Sequence, residues 1–317
     1  MKTFTHIAAF LLAFVAAAAS AADDSSLFAG RGATERLSLS YAVIQAGAEK
    51  PFSVLHVTDT HLTLAYDDEG EKKVTLRDAR TKTFGGRQRE ALRDTLAWAQ
   101  TNADFVVHTG DLIDFQSRAN FDAVRETFAG SPPIFGCMGN HEYNPDLWLN
   151  DPKENGTEAW KDRSRDTLRQ VYPFDGSFQS RVVNGVNFVA LDNVFGTVTA
   201  AQVDRFKAEA AKGLPIVLCV HVPFYTEGIW TASRKFWARP GTRLADVDIS
   251  TVKGERLAQS RDTVTRGFIE YLKTEPLLKA ILAGHVHLTA EERFSPTAVQ
   301  YVTGGNFLFC AREVLIF

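Results

Sequence analysis

The stretch that decides the fold is Val106-Val107-His108-Thr109-Gly110-Asp111. An apolar run of β-branched residues that stops at a glycine predicts a buried parallel strand with a functional group at its end. Asp111 is that group. Its carboxylate has two oxygens, each able to bind one metal ion. Two ions about 3.5–4 Å apart stabilise both the attacking and the leaving oxygen of a phosphoryl displacement.

Composition indicates an ordinary globular protein. The chain has 317 residues, of which 45% are hydrophobic, so it can bury a sizeable core in one large domain or two. Its formal net charge is −3, which gives no basic surface for nucleic acid or for an anionic membrane. No repeat, low-complexity segment or linker divides it. We therefore expect one domain over residues 23–317, with its core at about 52–303.

The N-terminus has the pattern of a secretory signal. Lys2 precedes an apolar stretch, residues 7–19, which is too short to span a bilayer and leads to a small-residue cleavage site near Ala22. A membrane anchor is the alternative, but the run is rich in alanine and acidic residues follow it. We predict removal of residues 1–22, export to the periplasm or the cell exterior, and no membrane span in the mature chain.

Three cysteines, Cys137, Cys219 and Cys310, are an odd and sparse set for an exported protein of this length. A disulfide framework is not expected, because Cys137 and Cys219 lie in apolar runs where a buried thiol packs as a small hydrophobe. A single disulfide between two of the three stays open.

Apolar runs that predict strands alternate with segments of helical spacing. The runs are 37–43 as an edge strand, 52–57, the 106–111 stretch, 134–138, 181–183, 186–191, 216–220, 278–282, 298–303 and 307–317. Helices are predicted from residue 87, from an N-cap at Ser117, and over 158–170, 200–212 and 264–273. Asn184-Gly185 predicts a hairpin turn, so antiparallel strands follow a parallel set. Residues 62–85 are expected to form a loop or hairpin, and 222–262 a long loop.

Polar side chains follow five of these strands, at the sheet edge where α/β proteins bind ligands. They are Asp59 and His61, Asp111, Asn140 and His141, His221, and His285 and His287. Two residues that are two positions apart at a strand end point the same way and can reach one centre. Imidazole nitrogen with carboxylate and amide oxygen suits divalent ions such as Mn, Fe and Zn. Each motif alone is weak evidence, but five in one order indicate a metal site.

These motifs resemble those of the calcineurin-like metallophosphoesterases. The matching residues are Asp59-Thr60-His61, Gly110-Asp111, Gly139-Asn140-His141-Glu142, His221 and Gly284-His285-Val286-His287. The resemblance covers roughly residues 52–303. It implies an α/β fold in which two facing mixed β-sheets are flanked by helices, a four-layer α/β/β/α sandwich.

The resemblance also implies two divalent metal ions. Asp59, His61 and His287 would bind one ion, Asn140, His221 and His285 the other, and Asp111 would bridge them. The expected activity is hydrolysis of small phosphate monoesters or diesters by a hydroxide that bridges the metals. The alternative is an inactive binding protein on the same scaffold, which the complete ligand set argues against. Neither the metal identity nor the oligomeric state follows from these motifs.

Further roles follow from the same comparison. His141 would face the substrate and either protonate the departing alkoxide as a general acid or stabilise charge on the phosphoryl oxygens, because its ordinary pKa lies near working pH. Glu142 would orient the loop or His141. His56 and His108 match no ligand position, so a structural role is favoured for them. Each lies three residues before a ligand aspartate, and with Cys137 they would form one layer beneath the metals if the strands run parallel in register. Purple acid phosphatases carry a tyrosine where this chain has Asp114, so a tyrosinate site is not expected.

The segment 222–262 follows His221 and is rich in aromatic and basic residues. It could be a packed cover over the core. Its position makes Tyr225, Trp230 and Arg234 candidates for contacts with the organic part and the phosphate of the substrate.

Overall fold

A computed structural model describes residues 36–130, 132–145, 157–238 and 262–317. The predicted signal sequence lies outside the described residues. The first β-sheet contains β1 Ser38–Ile44, β2 Phe52–Val57, β3 Phe105–His108, β4 Ile134–Gly136 and β11 Cys310–Ile316. Across the sheet the order is β1, β11, β2, β3, β4. Strands β2, β3 and β4 are parallel, and β11 is antiparallel to β2. β1 is the edge strand that the sequence predicts.

The second sheet contains β5 Phe178–Val183, β6 Val186–Leu191, β7 Ile216–Cys219, β8 Leu278–Ala283, β9 Ala290–Arg293 and β10 Val299–Val302. Its order is β5, β6, β7, β8, β10, β9. The inner pairs are parallel and the two outer pairs antiparallel. The β5–β6 hairpin is confirmed, since Asn184 and Gly185 have φ values of 48° and 79°.

Helices lie on the outer faces of both sheets. Their bounds are α1 Glu71–Thr83, α2 Gln88–Asn102, α3 Arg118–Ala129, α4 Glu158–Arg169, α5 Ala200–Ala210, α6 Glu227–Trp237 and α7 Thr263–Thr274. The Ser117 hydroxyl accepts the N–H of Asn120 at the start of α3, as an N-cap does. Within the described ranges, no helix is both long and apolar enough to cross a bilayer.

Three apolar clusters define the layers. Between the sheets, Val54 and Val107 of the first sheet pack near Phe188 and Val217 of the second. The outer face of the first sheet packs on Trp98 of α2. The outer face of the second sheet packs on three side chains of α5 and α7, which are Phe206, Phe268 and Leu272. This is the expected four-layer arrangement of two mixed sheets between helices. Central strands are buried on both faces, which is why they read as continuous apolar runs.

The expectation of a loop or hairpin over residues 62–85 is wrong, because helix α1 occupies most of it. None of its residues is buried, so it has no apolar stripe for the periodicity to reveal. Polar side chains hold it instead. Lys73 Nζ donates to the Gln116 carbonyl at 2.6 Å, and Arg80 Nε donates to Asp114 Oδ2 at 2.7 Å.

The long loop expected over 222–262 is also partly wrong. Helix α6 occupies its first part, and residues 239–261 lie outside the described residues. Strand β9 was missed because it is a charged edge strand with little apolar character. All three cysteines are free, with Cys137 and Cys219 buried between the sheets, so the open disulfide alternative is resolved.

Candidate metal centre

Loops at the carboxyl ends of five strands converge on one site. Strand β2 leads to Asp59 and His61, β3 to Asp111, β4 to Asn140 and His141, β7 to His221, and β8 to His285 and His287. Nearly all of these side chains are buried, and that of His287 is 15% exposed. The fold therefore brings together residues that lie more than 200 positions apart in the chain.

The first group of candidate ligands is Asp59, His61, Asp111 and His287. Asp59 Oδ1 lies 3.3 Å from His287 Nε2 and 3.8 Å from His61 Nε2. The two imidazole Nε2 atoms are 3.1 Å apart. All the donor atoms of this group lie within 4.8 Å of one another.

The second group contains Asp111, His221 and His285, and Asn140 adjoins it. His221 Nε2 lies 3.0 Å from Asn140 Oδ1, 3.0 Å from His285 Nδ1 and 3.3 Å from Asp111 Oδ2. The structure thus separates the predicted ligands into the two sets that the sequence comparison implies.

Asp111 belongs to both groups through one oxygen. Its Oδ2 lies 3.7 Å from His61 Nε2 in the first group and 3.3 Å from His221 Nε2 in the second. Its Oδ1 instead accepts the backbone N–H of His141 at 2.9 Å. Oδ2 is thus the oxygen that faces both groups, whereas Oδ1 is held by the loop after β4.

The hydrogen bonds of the histidines fit a cation in each group. His221 Nδ1 donates to the Thr109 carbonyl at 2.7 Å, which leaves Nε2 with the lone pair in the neutral ring. His61 Nδ1 similarly pairs with Asp114 Oδ1 at 3.0 Å. Lone-pair nitrogens about 3 Å apart repel each other unless a proton or cation lies between them. Two ligands about 2.1 Å from one ion and about 90° apart have this spacing.

A buried oxygen also favours a cation. Asp59 Oδ1 is buried and receives no well-formed hydrogen bond from any part of the chain that the structure describes. Leaving a buried carboxylate oxygen without a partner is costly, so its place among imidazole nitrogens indicates a ligand.

The charge of the site also favours a cation. Burial lowers the pKa of His61, but the hydrogen bond with Asp114 and the nearby carboxylates of Asp59 and Asp111 outweigh it and raise that pKa to about 10. Burial likewise lowers the pKa of His221, and the charge of Asp111 raises it overall to about 9. The carboxylates therefore draw positive charge into a buried space, in the form of protons or of metal ions.

Five of the candidate ligands have left-handed backbone conformations. Asp59, His61, Asp111, His285 and His287 have φ values between 51° and 69°. Such values are uncommon for residues other than glycine and occur mainly where surrounding structure enforces them. The sharp turns they produce aim consecutive loop side chains into one centre.

Glycines allow the loops to approach each other closely. A Cβ atom at Gly139 would overlap Asp111 Oδ1 and the Asp111 nitrogen, and one at Gly284 would overlap Thr58 Oγ1 and lie 2.6 Å from Asp59 Oδ2. The glycines that precede Asn140 and His285 are thus required by contacts between different loops.

Glu142 connects the loop after β3 to the loop after β4. Its buried carboxylate accepts the backbone N–H groups of Asp111 at 3.0 Å, Leu112 at 2.8 Å and Gly139 at 2.8 Å. The hydroxyl of Tyr172 donates to it as well, at 3.1 Å. Of the two roles considered for Glu142, the structure favours orienting the loop, and specifically the backbone of the bridging aspartate.

His141 lies beside the first ligand group. Its ring meets the ring of His61 edge to face, with centroids 4.7 Å apart. Its Nδ1 donates to the Asp114 carbonyl at 2.7 Å and lies 3.1 Å from Asp114 Oδ1. Its orientation is therefore set by Asp114.

A family model for calcineurin-like phosphoesterases matches residues 52–288. The chain belongs to this family. The match spans every candidate ligand described above, from Asp59 to His287. The comparison with curated proteins found no match.

Solved structures that resemble this phosphoesterase share little sequence with it. A dimetal phosphatase from Danio rerio is 14% identical, with 81% of this chain and 88% of that chain covered and a TM-score of 0.45. The phosphopantetheinyl hydrolase from Mycobacterium tuberculosis is 12% identical, with 81% and 91% covered and a TM-score of 0.40. A 5′-nucleotidase from Candida albicans is 12% identical, with 85% and 47% covered and a TM-score of 0.38. This chain spans about half the length of that nucleotidase.

Sequence reasoning missed the role of Asp114 in this phosphoesterase. The carboxylate is fully buried, and it pairs with His61, His141 and the guanidinium of Arg80. Burial alone would raise the pKa of Asp114, but His141 and Arg80 outweigh burial and hold it well below its ordinary value. The position of Asp114, three residues after Asp111, could have indicated from the sequence that it belongs to the site. The pattern around Arg80 offers no such indication, because helix α1 was not predicted.

The expected single layer of His56, His108 and Cys137 is wrong. In the register of β2 and β3, His56 lies opposite Val107 and His108 lies opposite Val57, so the two histidines are on different faces of the sheet. Each histidine lies three residues before its aspartate, but β2 and β3 pair with an offset of one residue. The two histidines are therefore not at the same level in the sheet. His56 Nε2 instead bonds Thr109 Oγ1 at 2.8 Å, and His108 Nε2 bonds Thr60 Oγ1 at 3.1 Å.

Trp230 and Arg234 lie on α6, and Tyr225 lies two residues before its start. The Tyr225 and Trp230 rings are 6.1 Å apart, and the Arg234 guanidinium lies 5.6 Å from the Trp230 ring. Within the described residues, Arg234 Nε and Nη2 are buried and have no hydrogen-bond partner. The structure thus brings these three together, and their contact with substrate stays a prediction.

Aromatic side chains surround the first ligand group, and sequence reasoning did not single them out. The Phe84 ring stacks on His61 with centroids 4.4 Å apart, and the Phe307 ring lies 5.2 Å from His287. The Trp237 ring, at the end of α6, lies 5.6 Å from His287. The aromatic content of 222–262 was a signal for Trp237, but without the helix its position could not be found.

Proposed function

We propose that this chain is an exported phosphoesterase that uses two divalent cations to hydrolyse small phosphate monoesters or diesters. The observation that supports this most strongly is the Oδ2 atom of Asp111, which lies in both candidate ligand groups. One carboxylate oxygen shared by two sets of imidazoles is suited to hold two cations side by side, as phosphoryl transfer requires.

Asp59, His61 and His287 would hold one cation, and Asn140, His221 and His285 the other, with Asp111 common to both. These ligand types suit Mn, Fe or Zn. When bound, the pair would supply positive charge that makes a water molecule acidic near neutral pH and balances the phosphoryl oxygens.

His141 would supply the proton that the leaving group needs. Hydrolysis adds water across a P–O bond, and the departing alkoxide must take up a proton to become an alcohol. His141 lies against the first ligand group, and Asp114 holds its Nδ1 and so fixes the orientation of the ring. Asp114 therefore acts as the positioning residue for this acid.

Substrate recognition would involve Tyr225, Trp230 and Arg234. The two rings provide an apolar surface, and the guanidinium of Arg234 carries buried N–H groups that can bind phosphate oxygens. The proposed export depends on residues 1–22 and would be tested by determining the N-terminus of the protein recovered from the periplasm or the medium.

The test of the proposed activity uses the chain stripped of metal and resupplied with Mn, Fe, Zn or Mg. We expect turnover of p-nitrophenyl phosphate or its bis-ester with at least one ion, and their ratio separates monoesterase from diesterase activity. Asp111→Asn should lower turnover by more than about 100-fold, since even outer partners of metal ligands contribute about 10–100-fold. Its metal content, measured by mass spectrometry, should fall below two ions.

Asp122→Asn, at an exposed residue of α3 that pairs with Arg125, is the control and should keep both turnover and metal content. A chain that binds metal, keeps its fold and hydrolyses neither ester with any ion would contradict the proposal and favour a binding protein.

A further inference from the structure

The three aromatic rings around the first ligand group differ in exposure. Phe84 is 9% exposed and covered on one face by His61, so it packs rather than binds. Phe307 is partly buried and contacts both His61 and His287. Trp237 is 39% exposed. Trp237 therefore offers a larger free area to a ligand than the other two.

Trp237 is held in place although it is exposed. Its indole Nε1 donates to the carbonyl of Val286 at 3.2 Å, and Val286 lies between the candidate ligands His285 and His287. The ring is tilted 54° against His287 and also meets Phe236 edge to face. An aromatic surface that is already oriented loses little conformational freedom on binding. It is thus a preformed platform beside the metal site.

We propose that the exposed face of Trp237 binds a planar aromatic ring of the substrate, so that the site selects phosphate esters with an aryl or heteroaryl group over aliphatic esters of the same size. This inference rests on the proposed function, because the metal site anchors the phosphate. Offset stacking of two rings strengthens binding by up to about 10-fold beyond the burial of area.

The test compares two ligands of matched size and leaving group. 2-Phenylethyl phosphate and 2-cyclohexylethyl phosphate both release a primary alcohol and differ in the flatness of the ring. The corresponding phosphonates cannot be hydrolysed, so calorimetric titration of the Mn²⁺-loaded full chain measures their affinity without turnover. We expect the wild-type chain to prefer the phenyl member of each pair by about 5-fold in kcat/KM and in affinity.

Two variants and a control test whether the Trp237 ring causes the preference for the phenyl ligand. Trp237→Leu keeps an apolar side chain but removes the flat face, and should reduce the preference to about 1–2-fold. Trp237→Phe keeps a ring without the N–H group, and should retain most of it. Tyr41→Leu removes a 46% exposed ring from edge strand β1, and should leave the preference at the wild-type value.

The outcomes separate this inference from the proposed function. If Trp237→Leu weakens both phosphonates equally, the ring only positions His287 and the inference is wrong. The same holds if wild-type chain shows no phenyl preference. If neither phosphate is hydrolysed but the phosphonates bind with a preference that Trp237→Leu abolishes, the platform is supported and the hydrolytic proposal fails.

Discussion

Two regions of this phosphoesterase meet at the same site and are built in different ways. The strand-end loops that carry the candidate ligands are buried, turn through left-handed residues and are joined by Glu142. Helices α1 and α6, at the edge of the site, have few buried residues and are held by individual side chains such as Arg80 and Trp237.

The difference indicates that the loops fix the metal ligands and that the helices influence substrate preference. In the loops, each ligand is placed by contacts with other loops, so the geometry leaves no freedom and a single added atom should disrupt it. Apart from Arg80, which pairs with Asp114, the side chains of these helices do not hold the ligands in place, and this is where substrate preference can vary. The same scaffold can therefore keep one chemistry and alter its specificity.

Gly139→Ala should have the largest effect and tests the rigidity of the loops. The added methyl group would overlap the Oδ1 of Asp111, so the shared carboxylate must move. We expect turnover to fall by more than about 100-fold and bound metal to fall below two ions per chain. Gly267→Ala, in α7 where an added Cβ meets no atom, is the control and should raise stability by about 0.5–1 kcal/mol. Full metal binding by Gly139→Ala would show that the loops can adjust.

Glu142→Gln should have the second-largest effect. It replaces a carboxylate oxygen, which accepts hydrogen bonds, by an amide NH2 group, which donates them, opposite backbone N–H groups. At least one buried N–H of Asp111, Leu112 or Gly139 then loses its partner. We expect a loss of about 3 kcal/mol in the free energy of unfolding in urea and a loss of about 10–100-fold in turnover. Glu126→Gln on the exposed side of α3 should change stability by less than about 0.5 kcal/mol. If the two variants were equally stable, the conclusion that Glu142 joins the two loops would be wrong.

Arg80→Gln should have the smallest effect of the three, because it acts from the edge. It removes the cation that pairs with the buried Asp114, which in turn holds His61 and His141. We expect turnover to fall by about 10-fold, with the metal content unchanged, in steady-state assays. Arg77→Gln in the same helix, whose partners Asp67 and Asp78 are exposed, should leave turnover at the wild-type rate. If both variants behave alike, α1 has no connection to the chemistry.

Much of the fold could be predicted from the sequence. Buried parallel strands such as β2 and β3 are short apolar runs, and the Asn184-Gly185 turn has its own local signature. Elements without an apolar stripe were missed, as α1 shows. The prediction that His56 and His108 share one layer was wrong for a different reason. The offset between β2 and β3 is set by pairing between the strands and not by the sequence of either strand alone.

The sequence by itself determined the types and the order of the candidate ligands, because a polar residue directly after an apolar strand must lie at the carboxyl edge of the sheet. Only the tertiary structure decided that Asp111 faces both groups through one oxygen, that Glu142 supports its backbone, and that Arg80 and Trp237 complete the site. Those facts depend on contacts between loops and helices far apart in the chain. Local patterns of hydrophobicity carry no record of such contacts.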